Sequence, residues 1–159
     1  MVFKENNNTE TRYLVSSPYI LGFAYSRSVT EGVSVASPSD PTLAIYRYPA
    51  YLQSVKRKFR LRYDFFSIGL LLFEIAKWRP LWKYYTEMHK PEVETFVSEL
   101  CAKEAADLEF RVGKTYKDAM FACLEGSFGV EDDREPEEDK ELKLAFFGKV
   151  VKVLDQCQA

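Results

Sequence analysis

The run from Asp64 to Ile75 constrains the fold more than any other part of the chain. It reads Asp-Phe-Phe-Ser-Ile-Gly-Leu-Leu-Leu-Phe-Glu-Ile, so an acid opens a segment that is apolar on nearly every side of a helix. A helix of this kind lies inside a protein rather than on its surface. Arg79-Pro80 ends it, because proline cannot continue a helix. The pattern therefore predicts a buried central helix over about Tyr63 to Lys77, with Leu71 in the core of the protein. Asp64 opens this helix as a buried acid that needs a partner, because an unpaired buried carboxylate is costly; without a partner it must lie near solvent.

Apolar residues at i, i+3 and i+4 predict three more helices downstream. The first begins at Pro91, the second ends just before Gly126, which suits the left-handed residue past a helix, and the third follows an acidic loop. Their apolar stripes are Val93, Phe96, Val97, Leu100, Cys101, Ala105 and Leu108; Tyr116, Ala119, Met120, Cys123 and Leu124; and Leu142, Phe146, Val150, Val153 and Cys157.

Upstream, β-branched and aromatic residues lie between Tyr13 and Tyr25 and are interrupted by Ser16-Ser17-Pro18. This pattern predicts two short strands around a turn. The predicted fold class is therefore mainly α, with short β segments near the N-terminus.

Length and composition limit the class of protein and of partner. The 159 residues are 47% hydrophobic, which is enough for one domain with a core. The net charge of −2 argues against a nucleic-acid partner, and the longest apolar run, Ile68 to Phe73, is far shorter than the ~20 residues of a membrane span. Cys101, Cys123 and Cys157 each lie on an apolar stripe, which predicts buried thiols in a reducing compartment. We therefore expect a cytoplasmic protein with no membrane span.

Three segments, in order, resemble landmarks of the protein-kinase superfamily. Asp64 to Glu74 resembles the central helix of the C-terminal lobe, lettered F, which reads Asp-x-Trp-Ser-x-Gly; Phe66 stands in the Trp position. Gly22-Phe23-Ala24 is similar to Asp-Phe-Gly, and Tyr46 to Ala50 is similar to the Ala-Pro-Glu segment. The similarity covers about Tyr13 to Leu154 and is greatest to a fungal group of kinase-like proteins, often fused to an N-terminal prion-inhibition (HeLo-type) domain.

The resemblance implies that residues 1–159 are a single partial kinase-like domain, a C-terminal lobe with helices F to I. The N-terminal lobe and the catalytic loop are not in this sequence: no Gly-rich loop, strand Lys or His-Arg-Asp motif precedes Gly22. The family implies structural roles, rather than catalytic ones, for Phe23, Pro49, Asp64 and Gly69.

Departures from the family pattern remove its chemistry. Active kinases hold magnesium through the Asp of Asp-Phe-Gly, and Gly22 has no side chain with which to do so. Ala24 replaces the glycine of that motif, and Ala50 replaces a Glu whose Arg partner is also missing near Leu124 to Val130. We therefore predict no catalytic residues, no metal site and no cofactor.

Three hypotheses follow for the function. The favoured one is a non-catalytic, pseudokinase-type C-lobe module or remnant with an interaction or scaffold role, which is not an enzyme as it stands. The alternative is a truncated fragment of an ATP-dependent serine/threonine-type protein kinase, whose upstream lobe is missing from this chain. The third is an unrelated helical adaptor.

The expected partners are another protein or the missing upstream kinase lobe. Self-association is also expected, through an apolar face near Tyr19, Leu21 and Phe23 that the upstream lobe would otherwise cover. The basic residues from Lys56 to Arg62 are interpreted as a solvated loop, with a docking site for a phosphate or an acidic partner as the alternative. His89 has no neighbouring pattern that would make it a base or a ligand.

Overall fold

The computed structural model describes residues 2–5, 13–19, 44–49, 60–130 and 139–157. The chain divides into two compact units, Met1–Glu31 and Gly32–Ala159. The single-domain interpretation of residues 1–159 stays a prediction.

The first unit contains two antiparallel strands, β1 (Val2–Glu5) and β2 (Tyr13–Tyr19). Phe3 lies opposite Pro18 in the ladder. The predicted turn at Ser16-Ser17-Pro18 is wrong, because β2 runs through it without a break. In this two-stranded sheet each strand is an edge strand, a position that tolerates proline. The second predicted strand, toward Tyr25, lies outside the described residues.

The second unit carries the helices: α1 (Leu61–Lys77), α2 (Leu81–Glu87), α3 (Val93–Glu125), α4 (Asp139–Phe146), a π-helical turn (Phe147–Val151) and α5 (Lys152–Asp155). The mainly helical character of the fold is confirmed. None of the helices in the described ranges combines the length and the apolar character needed to cross a membrane.

Helix α1 has nearly the predicted bounds. It ends at Trp78, which takes the left-handed conformation (φ 52°) and donates its backbone N–H to carbonyls of the last turn. Pro80 then precedes α2 in an extended conformation. Local sequence signals therefore fix where this helix ends.

The prediction that α1 is buried on nearly every side is wrong. Leu71 is 43% exposed and Ile75 is 40% exposed, and Asp64 is exposed as well. These three residues share one face, because they are spaced i, i+7 and i+11. The buried residues lie on the other side of the helix: Phe65, Phe66, Gly69, Leu70 and Phe73. Apolar composition alone does not decide which face of a helix is covered.

Helix α3 consists of two arms that meet at Gly113, where the backbone is not helical (φ 76°, ψ 161°). We call residues 93–112 the first arm and residues 114–125 the second arm. The second arm ends at Gly126 in the left-handed conformation (φ 66°), as predicted. The chain folds back at Gly113, since Glu109 before it pairs with Lys117 after it.

Within the described residues the buried side chains form two clusters. One unites α1, α2 and both arms of α3 through residues that include Phe66, Phe73, Tyr84, Phe96, Leu100 and Met120. The other unites α1, the second arm and the C-terminal helices through Phe65, Ala119, Cys123, Phe128, Leu142 and Val150. Because α1 contributes to both clusters, it is the element around which this unit packs.

The C-terminal stripe follows the prediction except at its end. Leu142 and Val150 are buried, whereas Cys157 is exposed, so the prediction that Cys157 is buried is wrong. Residues at i, i+4 and i+8 do not stay on one face of an α-helix, because four residues are slightly more than one turn. The wider π turn at Phe147–Val151 offsets part of this rotation. Beyond the turn the stripe no longer continues to Cys157.

Candidate functional site

A short segment before α1 is tied to it by a shared carboxylate. The Tyr46 hydroxyl donates to Oε1 of Glu74 at 2.6 Å, and the backbone N–H of Leu81 donates to the same oxygen at 2.6 Å. Burial, together with the hydrogen bond to Glu74 and the charge of its carboxylate, raises the pKa of Tyr46 to about 12. Glu74 therefore joins three pieces of chain: the 44–49 segment, α1 and the start of α2.

Aromatic contacts fix the end of the same segment. The Tyr48 ring meets the Phe66 ring edge-on, with centroids 5.3 Å apart, and lies 5.0 Å from the ring of Tyr63. Ile45, three residues earlier, is 1% exposed. Pro49 is thus held beside α1, at the mouth of a groove.

This groove is the candidate site, with a volume of about 590 Å³ and an opening to solvent. One wall consists of Tyr48, Pro49 and Phe66. The first arm of α3 supplies a row of small residues, which are Ser98, Cys101, Ala102 and Ala105 beside Val97. The second arm supplies Phe121, Leu124 and Glu125. The groove is apolar over most of its surface, and it exists because the two arms fold back beside each other.

The polar groups that line the groove are not activated for chemistry. Burial and, to a smaller extent, the nearby charge of Glu125 together raise the pKa of the Cys101 thiol to about 12. A thiol with this pKa stays protonated at neutral pH and is a poor nucleophile. The Ser98 hydroxyl donates to the backbone oxygen of Thr95 at 2.7 Å, within its own helix. The groove is therefore suited to holding apolar groups.

Gly69 sets the position of one groove wall. A Cβ atom at this position would lie 2.7 Å from Cδ2 of Leu124 and 3.0 Å from Cβ of Cys123. Real Cβ atoms do not approach other carbons so closely, so glycine allows α1 and the second arm to touch here. Leu124 then presents its other side to the groove.

An ion-pair network anchors the first arm to the end of α1. Lys77, whose side chain is 6% exposed, places Nζ 2.5 Å from Oε2 of Glu104 and also pairs with Asp107, which in turn accepts from Arg111. Burial acts to lower the pKa of Lys77, but the hydrogen bonds to Asp107 and Glu104 outweigh it, so the pKa is raised. The network holds the first arm, and with it the row of small residues, against α1.

The predicted structural residues separate into different places. Pro49 lines the groove, and Gly69 supports it from behind through Leu124. Asp64 lies on the exposed face of α1 and makes no hydrogen bond to any other described residue; partial burial of its carboxyl nevertheless raises its pKa. Gly22, Phe23 and Ala24 lie outside the described residues.

The basic cluster is only partly described. Lys56 to Lys58 lie outside the described residues, and Arg60 is exposed. Arg62 is not a solvated side chain, so the loop interpretation is wrong at this position. Its Nη1 donates to the oxygen of Gly126 at 2.8 Å and its Nη2 donates to the oxygen of Val130. Arg62 therefore satisfies carbonyls just past the end of the second arm, which it ties to the start of α1.

Sequence patterns did not reveal the groove. Cys101 and Ala105 were assigned to a packing stripe, and Ala102 was not singled out, although all three belong to the row that lines the groove. The available signal is the i, i+3, i+4, i+7 spacing of the small residues from Ser98 to Ala105. That signal shows where a backbone can be approached closely, but not which element approaches it.

In the described part of the chain, no three or more His, Cys, Asp or Glu side chains are arranged to hold a metal ion. Comparison of the chain with protein-family models, with curated proteins and with solved structures gives no match. The kinase-like assignment therefore stays a prediction that depends on the three sequence landmarks.

Proposed function

We propose that the chain is a non-catalytic interaction module with the architecture of a kinase-like C-terminal lobe, and that the groove is its binding surface. One observation carries the proposal: a solvent-open groove of about 590 Å³, lined by aromatic and aliphatic side chains, beside the central helix. Its volume falls within the roughly 300–1,000 Å³ range of sites that take ligands and anchoring side chains.

The contacts around α1 support the kinase-like part of the proposal. Two of the three landmarks lie among the described residues, and they touch each other. Tyr46 bonds to Glu74, and Tyr48 packs against Phe66, so the segment similar to Ala-Pro-Glu sits on the helix similar to helix F. The third landmark, at Gly22 to Ala24, lies outside the described residues.

The chemistry of the groove supports binding over catalysis. The Cys101 thiol is held protonated, the Ser98 hydroxyl is bonded to its own helix, and the Glu125 carboxylate forms no ion pair with another described residue. Nucleophilic catalysis requires a nucleophile that a neighbouring base or a lowered pKa activates, and the raised pKa of Cys101 is the opposite of such activation. An apolar partner group is what these walls can hold.

A pair of groove variants tests this function. Ala102→Tyr places a large side chain in the groove, and Ala106→Tyr places the same side chain one turn further along the exposed side of the first arm, outside the groove lining. We expect an environment-sensitive apolar dye to bind the wild type and Ala106→Tyr equally, and to bind Ala102→Tyr less. Equal binding to all three proteins would contradict the proposal.

A nucleotide titration tests the non-catalytic part. We expect the melting temperature of the purified chain to be unchanged by millimolar Mg-ATP, because Gly22 cannot ligate magnesium. Restoring the acid with Gly22→Asp alone should not create binding. An increase of several degrees that a chelator reverses would favour the alternative, an ATP-dependent kinase fragment.

A further inference from the structure

The shape and charge of the groove specify its occupant further. We infer that it binds an amphipathic helix of a partner protein, with an apolar face directed into the groove and a basic side chain paired with Glu125. This inference presupposes the proposed function and adds the chemistry of the partner to it.

The first arm offers a surface suited to a helix. Ser98, Cys101, Ala102 and Ala105 follow i, i+3, i+4 and i+7 spacing, so they form one row about 10 Å long. With no large side chain in the row, a second helix can approach its backbone to the roughly 8–10 Å interaxial distance of packed helices. The described residues of the lining offer no strand edge with which an extended peptide could pair, so they match the helix-in-groove mode of recognition.

Opposite this row the groove can take large apolar side chains. Tyr48 and Phe66 form one wall, and Phe121 faces the groove from the second arm. Contacts hold these groove residues in place. Tyr48 packs against Phe66 and Tyr63, and Leu124 of the second arm lies close to Gly69. A preformed apolar wall loses little conformational entropy when an anchoring side chain enters it. Residues spaced i and i+4 on a bound helix would reach this wall.

Charge selects a basic partner over an acidic one. Glu125 lines the groove and forms no ion pair with any other described residue, and Glu99 is exposed on the first arm directly after Ser98. The Glu125 carboxylate at the groove therefore complements a lysine or an arginine on the partner.

A displayed peptide library provides the probe. We would select phage-displayed peptides of about 16 residues, roughly four helical turns, on the wild-type chain, and then compare binding of the selected peptides to the wild type, Ala102→Tyr and Ala106→Tyr. The expected peptides carry large apolar residues at i, i+3 or i+4 and i+7 with a basic residue on the flank. A synthetic copy should become helical on binding, as measured by circular dichroism.

Charge reversal then tests the pairing with Glu125. Glu125→Lys should weaken binding of the basic peptide about tenfold, which corresponds to about 1.4 kcal/mol, and replacing the basic residue of the peptide by Glu should restore affinity for this variant. Asp155→Lys reverses an exposed acid on α5 that does not line the groove, and it should leave the affinity unchanged.

Several outcomes would overturn the inference, and they differ from failure of the proposed function. Selection of proline-rich, extended or acidic peptides, selection of no peptide, or indifference to Glu125→Lys would each refute the basic helix. If the selected peptides bind Ala102→Tyr less than the wild type, the groove is still supported as a binding surface. If they bind both proteins equally, the proposed function and the basic-helix inference are both refuted. A dimer in light scattering that Ala102→Tyr dissociates would assign the groove to a second copy of the chain and would overturn the inference.

Discussion

The two faces of α1 have similar composition and opposite surroundings. Phe66, Leu70 and Phe73 are each 3% exposed or less, whereas Leu71 and Ile75, on the other face, are each at least 40% exposed. The exposed face ends at Trp78, which is 88% exposed and takes a backbone conformation that non-glycine residues rarely adopt. A helix that is apolar on nearly every side can therefore still have one face that other described elements do not cover.

The largest expected difference between the two faces is in stability. Phe73→Ala removes a ring that is 1% exposed and packs edge-on against Tyr84, and it should lower the free energy of unfolding by about 3–5 kcal/mol. Leu71→Ala on the exposed face should cost less than about 1 kcal/mol. Urea denaturation measures both changes. Equal losses would show that Leu71 is buried and that the two faces do not differ as described.

Gly69 tests how closely the buried face is packed. Alanine favours a helix over glycine by about 1 kcal/mol, but its Cβ would lie 2.7 Å from Leu124. We expect Gly69→Ala to lower stability by about 1–2 kcal/mol on balance, because overpacking typically costs about 1–3 kcal/mol. It should also weaken binding at the groove, since Leu124 lines it.

Gly148→Ala is the matched control for this substitution, since a Cβ there would meet no atom within 4 Å. Its unfolding free energy should equal or slightly exceed that of the wild type. A Gly69→Ala variant as stable as Gly148→Ala would show that α1 and the second arm are not in close contact.

The prediction about α1 shows what sequence could and could not provide. Pro80 marks the helix end in sequence, and the stripes on both sides of Gly113 predict the two arms of α3. These signals are local, and they determine where elements lie along the chain. Which face of an element is covered depends on neighbours far away in sequence, and this is why Leu71 was misplaced.

The same reasoning applies to the candidate site. Arg62 was interpreted as part of a solvated loop, yet it bonds to carbonyls 64 and 68 residues later in the chain. The groove needs Tyr48, the first arm and the second arm together, and no local pattern relates the three. Pro49 and Gly69 can be identified from the sequence because they belong to the kinase-like motifs. Their position at a groove cannot be predicted from those motifs.

The smallest expected effect is a dependence of stability on pH through the ion pairs beside the buried face. Hydrogen bonds from Lys77, and then from Arg111, lower the pKa of Asp107 below its usual 3.8. Asp107 therefore contributes stability above the unfolded-state pKa, and this contribution is lost as the pH falls through the lower folded-state pKa. Lys77 affects stability in the opposite pH range. Because its pKa is raised, its contribution to folding stability is complete below the usual pKa of 10.5 and is lost as the pH rises through the higher folded-state pKa.

We therefore expect Asp107→Asn to be less stable than the wild type at pH 7, and this difference to shrink as the pH falls below the usual carboxyl pKa of 3.8. Urea denaturation at pH 7 and at an acidic pH measures it. Asp155→Asn, at an exposed acid on α5, is the control and should change stability little at either pH. A difference for Asp107→Asn that is the same at both pH values would show that the carboxylate does not support the network.

The most direct test of the binding surface uses methyl groups on both faces as reporters in one NMR experiment. A selected peptide is titrated into the chain labelled at alanine, leucine and isoleucine methyls. The groove account predicts shifts at Ala102, Ala105 and Leu124, with Leu71 and Ile75 unchanged. Shifts confined to Leu71 and Ile75, with the groove methyls unmoved, would contradict it and would place the binding surface on the exposed face of α1.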